Sequence, residues 1–350
     1  MTRPLSFLDL TPIERGSNAP AALRAATELA QLADRLGYHR LWYAEHHNTD
    51  GLASAAPEIM IAHIGAHTRH IRLGSGGVML PNHSPLRIIE AFRLLEALHP
   101  GRIDLGLGRA PGTDTLTAYA MRRSREAMTG DDYPNQLAEL LAYDENSFPA
   151  EHPFSKIKAV PVDVKMPPLF LLGSSDFSAQ LAAQVGLGYG FAAHFSAASA
   201  ETSMHLYREQ FSPSESYPQP HALLTVSVTV GEDEAHAREL SKVNDLFRLR
   251  LRTGRLGQYP TLEEAQTYDW SPAERALLAQ MPLSSLVGDA ASVRRQIDDF
   301  ADRTGADEVM ITTTLANLTD RARALTGLAR EYGLTERVDV EARELVGAAN

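Results

Sequence analysis

The sequence predicts an α/β protein, a (β/α)8 barrel with insertions after its fourth and seventh strands. Three observations carry that prediction. Short apolar runs alternate with stretches of helical periodicity about eight times along the chain. No G-x-G-x-x-G fingerprint follows the first apolar run, where an open doubly wound sheet would carry one. The chain has 350 residues and 44% hydrophobic content, which suits one barrel with enlarged loops and a large core.

The strands are expected at residues 5–10, 40–43, 71–75, 103–107, 169–172, 189–192, 223–230 and 309–313. Each is short, apolar and bounded by turn residues. Helices are expected between them, for example at 21–36, 57–67, 86–98, 178–185 and 291–301. Two stretches break the alternation. Residues 113–165 are polar, with one helix expected around 136–143, followed by Pro149, Pro153 and Pro161. Residues 242–282 open with Arg248, Arg250, Arg252 and Arg255, which read as a solvated helix face or as groups attracting an anionic cofactor, and then carry Gly, Pro and Gln. Both read as enlarged barrel loops within a single domain of residues 1–350, since long loops in a compact domain are usually lids or binding segments.

Composition excludes several classes. A net charge of -11 argues against nucleic acid and anionic membranes as partners. Having no cysteine, the chain lacks disulfides, thiolate zinc sites, iron–sulfur clusters and thiol nucleophiles. The first ten residues show no signal pattern, and no apolar run approaches the ~20 residues that cross a bilayer. A cytoplasmic protein acting on a small molecule is the expectation.

The strand ends carry the chemistry, because ligands bind at the carboxyl ends of parallel strands. The second strand runs into Glu45-His46-His47, which puts a carboxylate and two imidazoles there. Imidazole is the usual general base near neutral pH. The third ends at Gly74-Ser75-Gly76-Gly77, where a ring could lie flat on the backbone or the barrel could simply turn a tight corner. The fourth ends Gly106-Leu107-Gly108-Arg109-Ala110-Pro111, an arginine suited to phosphate or to a surface ion pair. The fifth ends Gly173-Ser174-Ser175-Asp176-Phe177-Ser178 and opens a helix, which can bind an anion or cap itself. With Arg109 one strand away, phosphate is the better reading. His63, His67 and His70 fall at helical spacing but read as a solvated or subunit-facing stripe. Tyr38 and Trp42 read as packing residues. His194, after the sixth strand, could line the pocket or be a structural histidine.

Taken in order, LWYAEHH, LGSGGVMLPNHSPLR, GRIDLGLGRAPG, LLGSSDFSAQLAAQVGLGYGFA and LVGDAASVRRQIDDFADRTGADEVMI resemble the bacterial luciferase-like, flavin-dependent monooxygenases. The likeness spans nearly the whole chain and is nearest the single-chain luciferase-like oxidoreductases. It implies a barrel that uses FMN, often reduced FMN as a co-substrate, and O₂. It further implies a separate flavin reductase and a homodimer, whose interface the apolar outer faces of helices 57–67 and 86–98 could supply. His46 matches the family's catalytic histidine. Gly76 and Gly77 match a pair joined by a cis peptide against the flavin ring. Arg109 matches the phosphate-binding arginine, with Pro111 nearby, and Ser174, Ser175 and Ser178 match the phosphate loop. The chain departs from the light-emitting subunit at Gly108, a cysteine there, and at Ser174, a glutamate there.

The resulting expectation is an FMN-dependent monooxygenase that oxidises a small organic substrate through a flavin peroxide. His46 would be its base, Glu45 or His47 would hold its tautomer, and residues 242–282 would form its lid. Rival expectations are a deazaflavin- or FMN-dependent oxidoreductase working by hydride transfer, a non-catalytic flavin-binding protein, and a metallohydrolase.

Overall fold

A computed structural model describes residues 3–123, 132–281 and 285–337. Eight parallel strands form a closed barrel. They are β1 (Leu5–Asp9), β2 (Arg40–Tyr43), β3 (Arg72–Ser75), β5 (Ile103–Gly108), β6 (Leu169–Gly173), β7 (Gly188–Ala192), β8 (Ala222–Val230) and β10 (Glu308–Thr312). The ring shuts because β10 pairs with β1 on one side and with β8 on the other. Two short strands lie off this ring. β4 (Val78–Met79) pairs with β5, and β9 (Leu286–Gly288) pairs with the outer end of β8. All eight expected strands are present, with ends displaced by a residue at most.

Helices α1 (Ala19–Leu36), α2 (Pro57–Gly65) and α3 (Pro85–Leu98) wrap the first strands. The wrap continues with α6 (Asp176–Val185), α7 (Ala200–Glu209), α8 (Glu234–Arg252), α11 (Ala290–Thr304) and α12 (Leu318–Tyr332). Strand side chains alternate between two environments, as the pleat requires. Leu41, Tyr43, Leu105, Leu107, Leu171, Phe191, Val226 and Ile311 face the helices and join the main core. Leu8, Trp42, Ala44, Phe170, Leu223 and Met310 face the barrel axis and form a separate inner cluster.

The amino-terminal ends of the strands close around buried charge. Arg40 donates to Glu308 at 2.7 and 2.9 Å and to Asp104 at 2.8 Å. Arg72 donates to the other Asp104 oxygen at 2.6 Å, and the Trp42 indole N–H reaches Asp104 at 3.2 Å. Ser6 donates to Glu308 at 2.5 Å, and His221 approaches Glu308 at 3.1 Å. Burial alone would raise the Glu308 carboxyl, but Arg40, His221 and His39 hold it down at about 2.

The first insertion contains α4 (Thr115–Arg122) and α5 (Tyr133–Glu145), the second of which includes the helix expected at 136–143. The second insertion is shorter than expected. Lys242 to Arg252 is not loop but the second half of the long helix α8, whose apolar face packs Val243, Leu246 and Leu249. The loop proper then carries α9 (Leu262–Thr267) and α10 (Pro272–Gln280), and Pro282 lies outside the described residues. Its arginines hold the insertion together. Arg250 donates to Glu264 at 2.5 Å, Arg255 to Glu274 at 2.8 Å, and Arg248 lies 3.4 Å from Asp245. The segment rests on the loop after β1, where Arg15 N–H meets the Tyr259 carbonyl and Tyr259 N–H meets that of Ile13. His70 is not on α2, which ends five residues earlier at Gly65.

Replacing Arg40 with Met would leave two buried carboxylates short of their partner. The expected loss is about 3–5 kcal/mol in urea unfolding at pH 7. The Glu308 contribution follows its lowered carboxyl. It is complete above the ordinary value of 4.5 and is lost as pH falls toward 2. An Arg40→Met chain as stable as the parent would show the network to be energetically neutral.

Candidate active site

The barrel interior is filled on one side and hollow on the other. Inward positions of β3, β5 and β7 are Gly74, Gly106, Gly108, Gly188 and Gly190, continued by Gly76 beyond β3. A Cβ on Gly77 would come within 2.8 Å of the Gly106 carbonyl, and one on Gly106 within 2.1 Å of the Ser75 carbonyl. Side chains therefore cannot occupy this wall without moving backbone. The Gly76–Gly77 peptide is cis, as the resemblance implies. Beside it lies a cavity of about 210 Å³, lined by Leu8, Trp42, Leu172 and Met310 at its apolar end.

The other end is polar. Arg109 lines it, with its guanidinium 4.1 Å from the Phe177 ring in the first turn of α6. Ser174, Ser175 and Ser178 line it too. Ser175 is the N-cap of α6, yet its side chain makes no capping bond. Its hydroxyl is thus available at a helix N-terminus beside a cation, an arrangement suited to an anion such as phosphate. Ser178 donates to the Leu172 carbonyl at 3.2 Å, and Ser199 donates to that of Ser174 at 3.2 Å, which fixes the loop. Glycine bed, apolar wall and anion corner together suit a flat ring that carries an anionic group. Pro111 does not line the cavity. Its carbonyl accepts from Asn82 at 2.9 Å.

Glu45-His46-His47 splits across the sheet, because neighbours in an extended segment point to opposite faces. His46 keeps the inward parity of Trp42 and Ala44. Its Nδ1 is buried without a hydrogen-bond partner among the described residues. Glu45 points outward, 1% exposed. Its carboxylate accepts from Met79 N–H at 2.8 Å and Asn82 at 3.2 Å. It also meets His47 at 2.8 Å and His83 at 3.0 Å. Glu45 and His47 therefore hold each other, and neither hydrogen-bonds His46 to set its tautomer. Burial would raise the Glu45 carboxyl, but His83, His47 and the Met79 N–H bring it below the ordinary range. Burial lowers His46, which Glu45 opposes and His47 reinforces. An uncharged imidazole at neutral pH can accept a proton.

Trp42 does more than pack, since it also lines the cavity. His194 lines it as well, so its pocket position is the one the structure adopts. Period-two alternation puts Trp42 on the inward face of β2, whereas His194 sits in the turn after β7, which alternation does not reach. His83 and Asn82, the Glu45 partners, lie in a loop where no periodicity points to them. No described residue from the second insertion lines the cavity, so in this structure that segment does not act as its lid. His63 of α2 and His67 just beyond it are exposed, with ring centroids 4.3 Å apart and the rings tilted, and no cluster of three metal-ligating side chains occurs among the described residues. No described helix is long and apolar enough to cross a membrane.

A family profile described as luciferase-like monooxygenase matches residues 4–308. A luciferase-like monooxygenase of Escherichia coli (strain K12) is 44% identical over 312 residues, covering 89% of this chain and 91% of that one. The N-acetyl-S-alkylcysteine monooxygenase of Bacillus subtilis (strain 168) is 32% identical over 324 residues, covering 91% and 94%. Among solved structures, apo-MsnO8 superposes with a TM-score of 0.87 at 36% identity, covering 96% of this chain and 99% of that one. Two more distant structures share the fold. The oxygenating constituent of 3,6-diketocamphane monooxygenase from a Pseudomonas putida plasmid, in complex with FMN, gives 0.67 at 18% identity, covering 95% and 97%. An F420-dependent secondary alcohol dehydrogenase gives 0.66 at 13%, covering 96% and 98%.

His194 makes stability depend on pH. Burial lowers its imidazole to about 4 from the ordinary 6.5, against a smaller opposing effect of the Thr225 carbonyl. The unfolded chain then binds a proton that the folded chain rejects, so this contribution is complete above pH 6.5 and is lost as pH falls toward 4. Urea midpoints between pH 4 and 7 are expected to fall less steeply in His194→Phe than in the parent. Identical slopes would place the titration elsewhere.

Proposed function

The chain belongs to the luciferase-like monooxygenase family, and on that basis we propose that it oxidises a small organic substrate with reduced FMN and O₂. One observation carries the cofactor reading: a glycine bed with no room for side chains leads from an apolar cavity to the corner of Arg109, Ser174 and Ser175. Reduced FMN, when bound, supplies the electrons that activate O₂. The residues of this chain supply the surroundings. Gly76, Gly77 and Gly106 let a flat ring approach the backbone. Arg109 and the serine loop take the phosphate, with Ser178 bracing that loop from below. Leu8, Trp42, Leu172 and Met310 keep water from the reacting end. His46, uncharged and inward-facing, accepts or returns the proton. An alkyl thioether is the first substrate to try, in view of the B. subtilis relative's name.

A separate reductase would deliver the reduced flavin. The protein would work in the cytoplasm as a homodimer. Its interface would be the outer faces of α2 and α3, where Ile59, Leu94 and Leu98 are 66%, 55% and 59% exposed. Leu98→Arg is then expected to shift the sedimentation coefficient from dimer to monomer, and a parent that sediments as a monomer would sink the dimer.

Titration of the purified chain into FMN is expected to quench flavin fluorescence saturably, while deazaflavin F420 does not compete. Preference for F420 would move the reaction to hydride transfer. Arg109→Ala should weaken FMN binding about 10- to 100-fold, the worth of one charge-assisted hydrogen bond. His46→Ala should leave FMN affinity within about twofold but slow substrate-dependent O₂ uptake about 100-fold or more, the usual contribution of a positioned base. Unchanged turnover would remove His46 from that role.

A further inference from the structure

The cavity contains a second imidazole that the proposed reaction leaves unused. His194 lies two residues beyond β7, and its backbone N–H donates to the Thr225 carbonyl of β8 at 3.1 Å. That bond carries the pairing of β7 with β8 past Ala192. The chain turns at Ala193 to Phe195, and this bond to β8 anchors the turn with His194 at the cavity. The ring lines the same cavity as Gly76, Arg109 and Ser174, and it lies against Phe195 with centroids 4.4 Å apart. Its Nδ1 is buried and has no hydrogen-bond partner among the described residues, as is also true of His46 Nδ1.

The groups facing this ring are few. His46 approaches from β2, the Thr225 carbonyl from β8 and Phe195 from the loop after β7. Neither imidazole forms an ion pair with a carboxylate among the described residues. Glu45, the acid nearest His46 in sequence, is engaged by His47 and His83. His194 Nδ1, buried without a partner on the cavity wall, is an unfavourable arrangement until a bound molecule brings a matching polar atom; His46, not itself a lining residue, lies near it.

We infer that His194 is a second catalytic imidazole of this site, hydrogen-bonding the polar edge of the bound flavin ring beside His46. The inference rests on the FMN reading and adds to it. The Thr225 carbonyl favours a proton on the His194 ring, while its unpartnered Nδ1 is left to meet the ligand, as is that of His46. Burial lowers both imidazoles from the ordinary value, which favours hydrogen bonding over ion pairing. The site thus works with a histidine pair, one ring from each side of the barrel mouth, in place of a single base held by a carboxylate.

The test is a proton–carbon NMR titration of the histidine Cε1–H signals of the full chain with FMN. Comparison of the parent with His194→Gln, or with His194→Asn if the first does not fold, assigns the His194 signal. The signal is expected to shift in proportion to fluorescence quenching. His194→Phe should weaken FMN binding about 5- to 20-fold, and His194→Gln should restore most of the loss. Saturating quenching with an unmoved His194 signal would overturn this inference and leave the FMN reading intact. Absence of quenching in the parent would overturn both.

Discussion

The barrel is organised around a guanidinium at its foot. Arg40 sits among Glu308, Asp104 and His39, and with Arg72, Ser6, His221 and the Trp42 indole it ties β1, β2, β3, β5 and β10 together at their amino-terminal ends. An inward-facing Glu308 or Asp104 without Arg40 would be a buried charge without compensation. The interior is therefore divided along its axis. Charge fills the foot, aromatic and aliphatic side chains fill the middle, and the upper part is lined by glycine on three strands. The hollow at the mouth is left over once the foot and middle are packed.

That division explains what could be read from the sequence. The strands were legible because their outward positions must be apolar to meet the helices, and their ends were marked by Gly74, Gly106, Gly108 and Gly173. Arg109 and the Ser174–Ser175 pair were legible because cation, hydroxyl and helix start fall on adjacent strands. The triplet Glu45-His46-His47 was legible as a place but not as a mechanism. Three adjacent residues suggest a cooperating group, yet an extended chain sends the middle one inward and the outer two outward. The carboxylate's partners, Asn82 and His83, come from a loop some forty residues away, and nothing local announces them.

The second insertion was misread for a different reason. Arg248, Arg250, Arg252 and Arg255 resemble a polar loop when counted as charges. Their spacing instead alternates with Leu246, Leu249 and Val243, which form the buried stripe of α8. Arg250 and Arg255 pair with acids on the helices that follow, while Arg248, itself buried, pairs with Asp245 on α8. Arg248 to Arg252 belong to a long helix and Arg255 lies just beyond it, and the apolar residues between the charges held the information.

The first insertion is joined to the site wall through several side chains, among them Thr113, which donates to the His47 carbonyl at 3.2 Å, and Asn82. Asn82 donates from one amide nitrogen to Glu45 and to the Pro111 carbonyl, while its oxygen accepts from Arg122 at the end of α4 at 3.2 Å. Farther along, α5 lies against the barrel, with Tyr133, Leu137 and Leu140 in the main core and the Tyr133 hydroxyl donating to the Leu107 carbonyl at 3.3 Å. The excursion is held at both places, so exposed positions such as Leu116 and Tyr119 can change chemistry while the wall beneath keeps its shape. The rim of the cavity is thus the part of this scaffold on which new substrate preferences can be built at least structural cost, with the glycine bed left as common machinery.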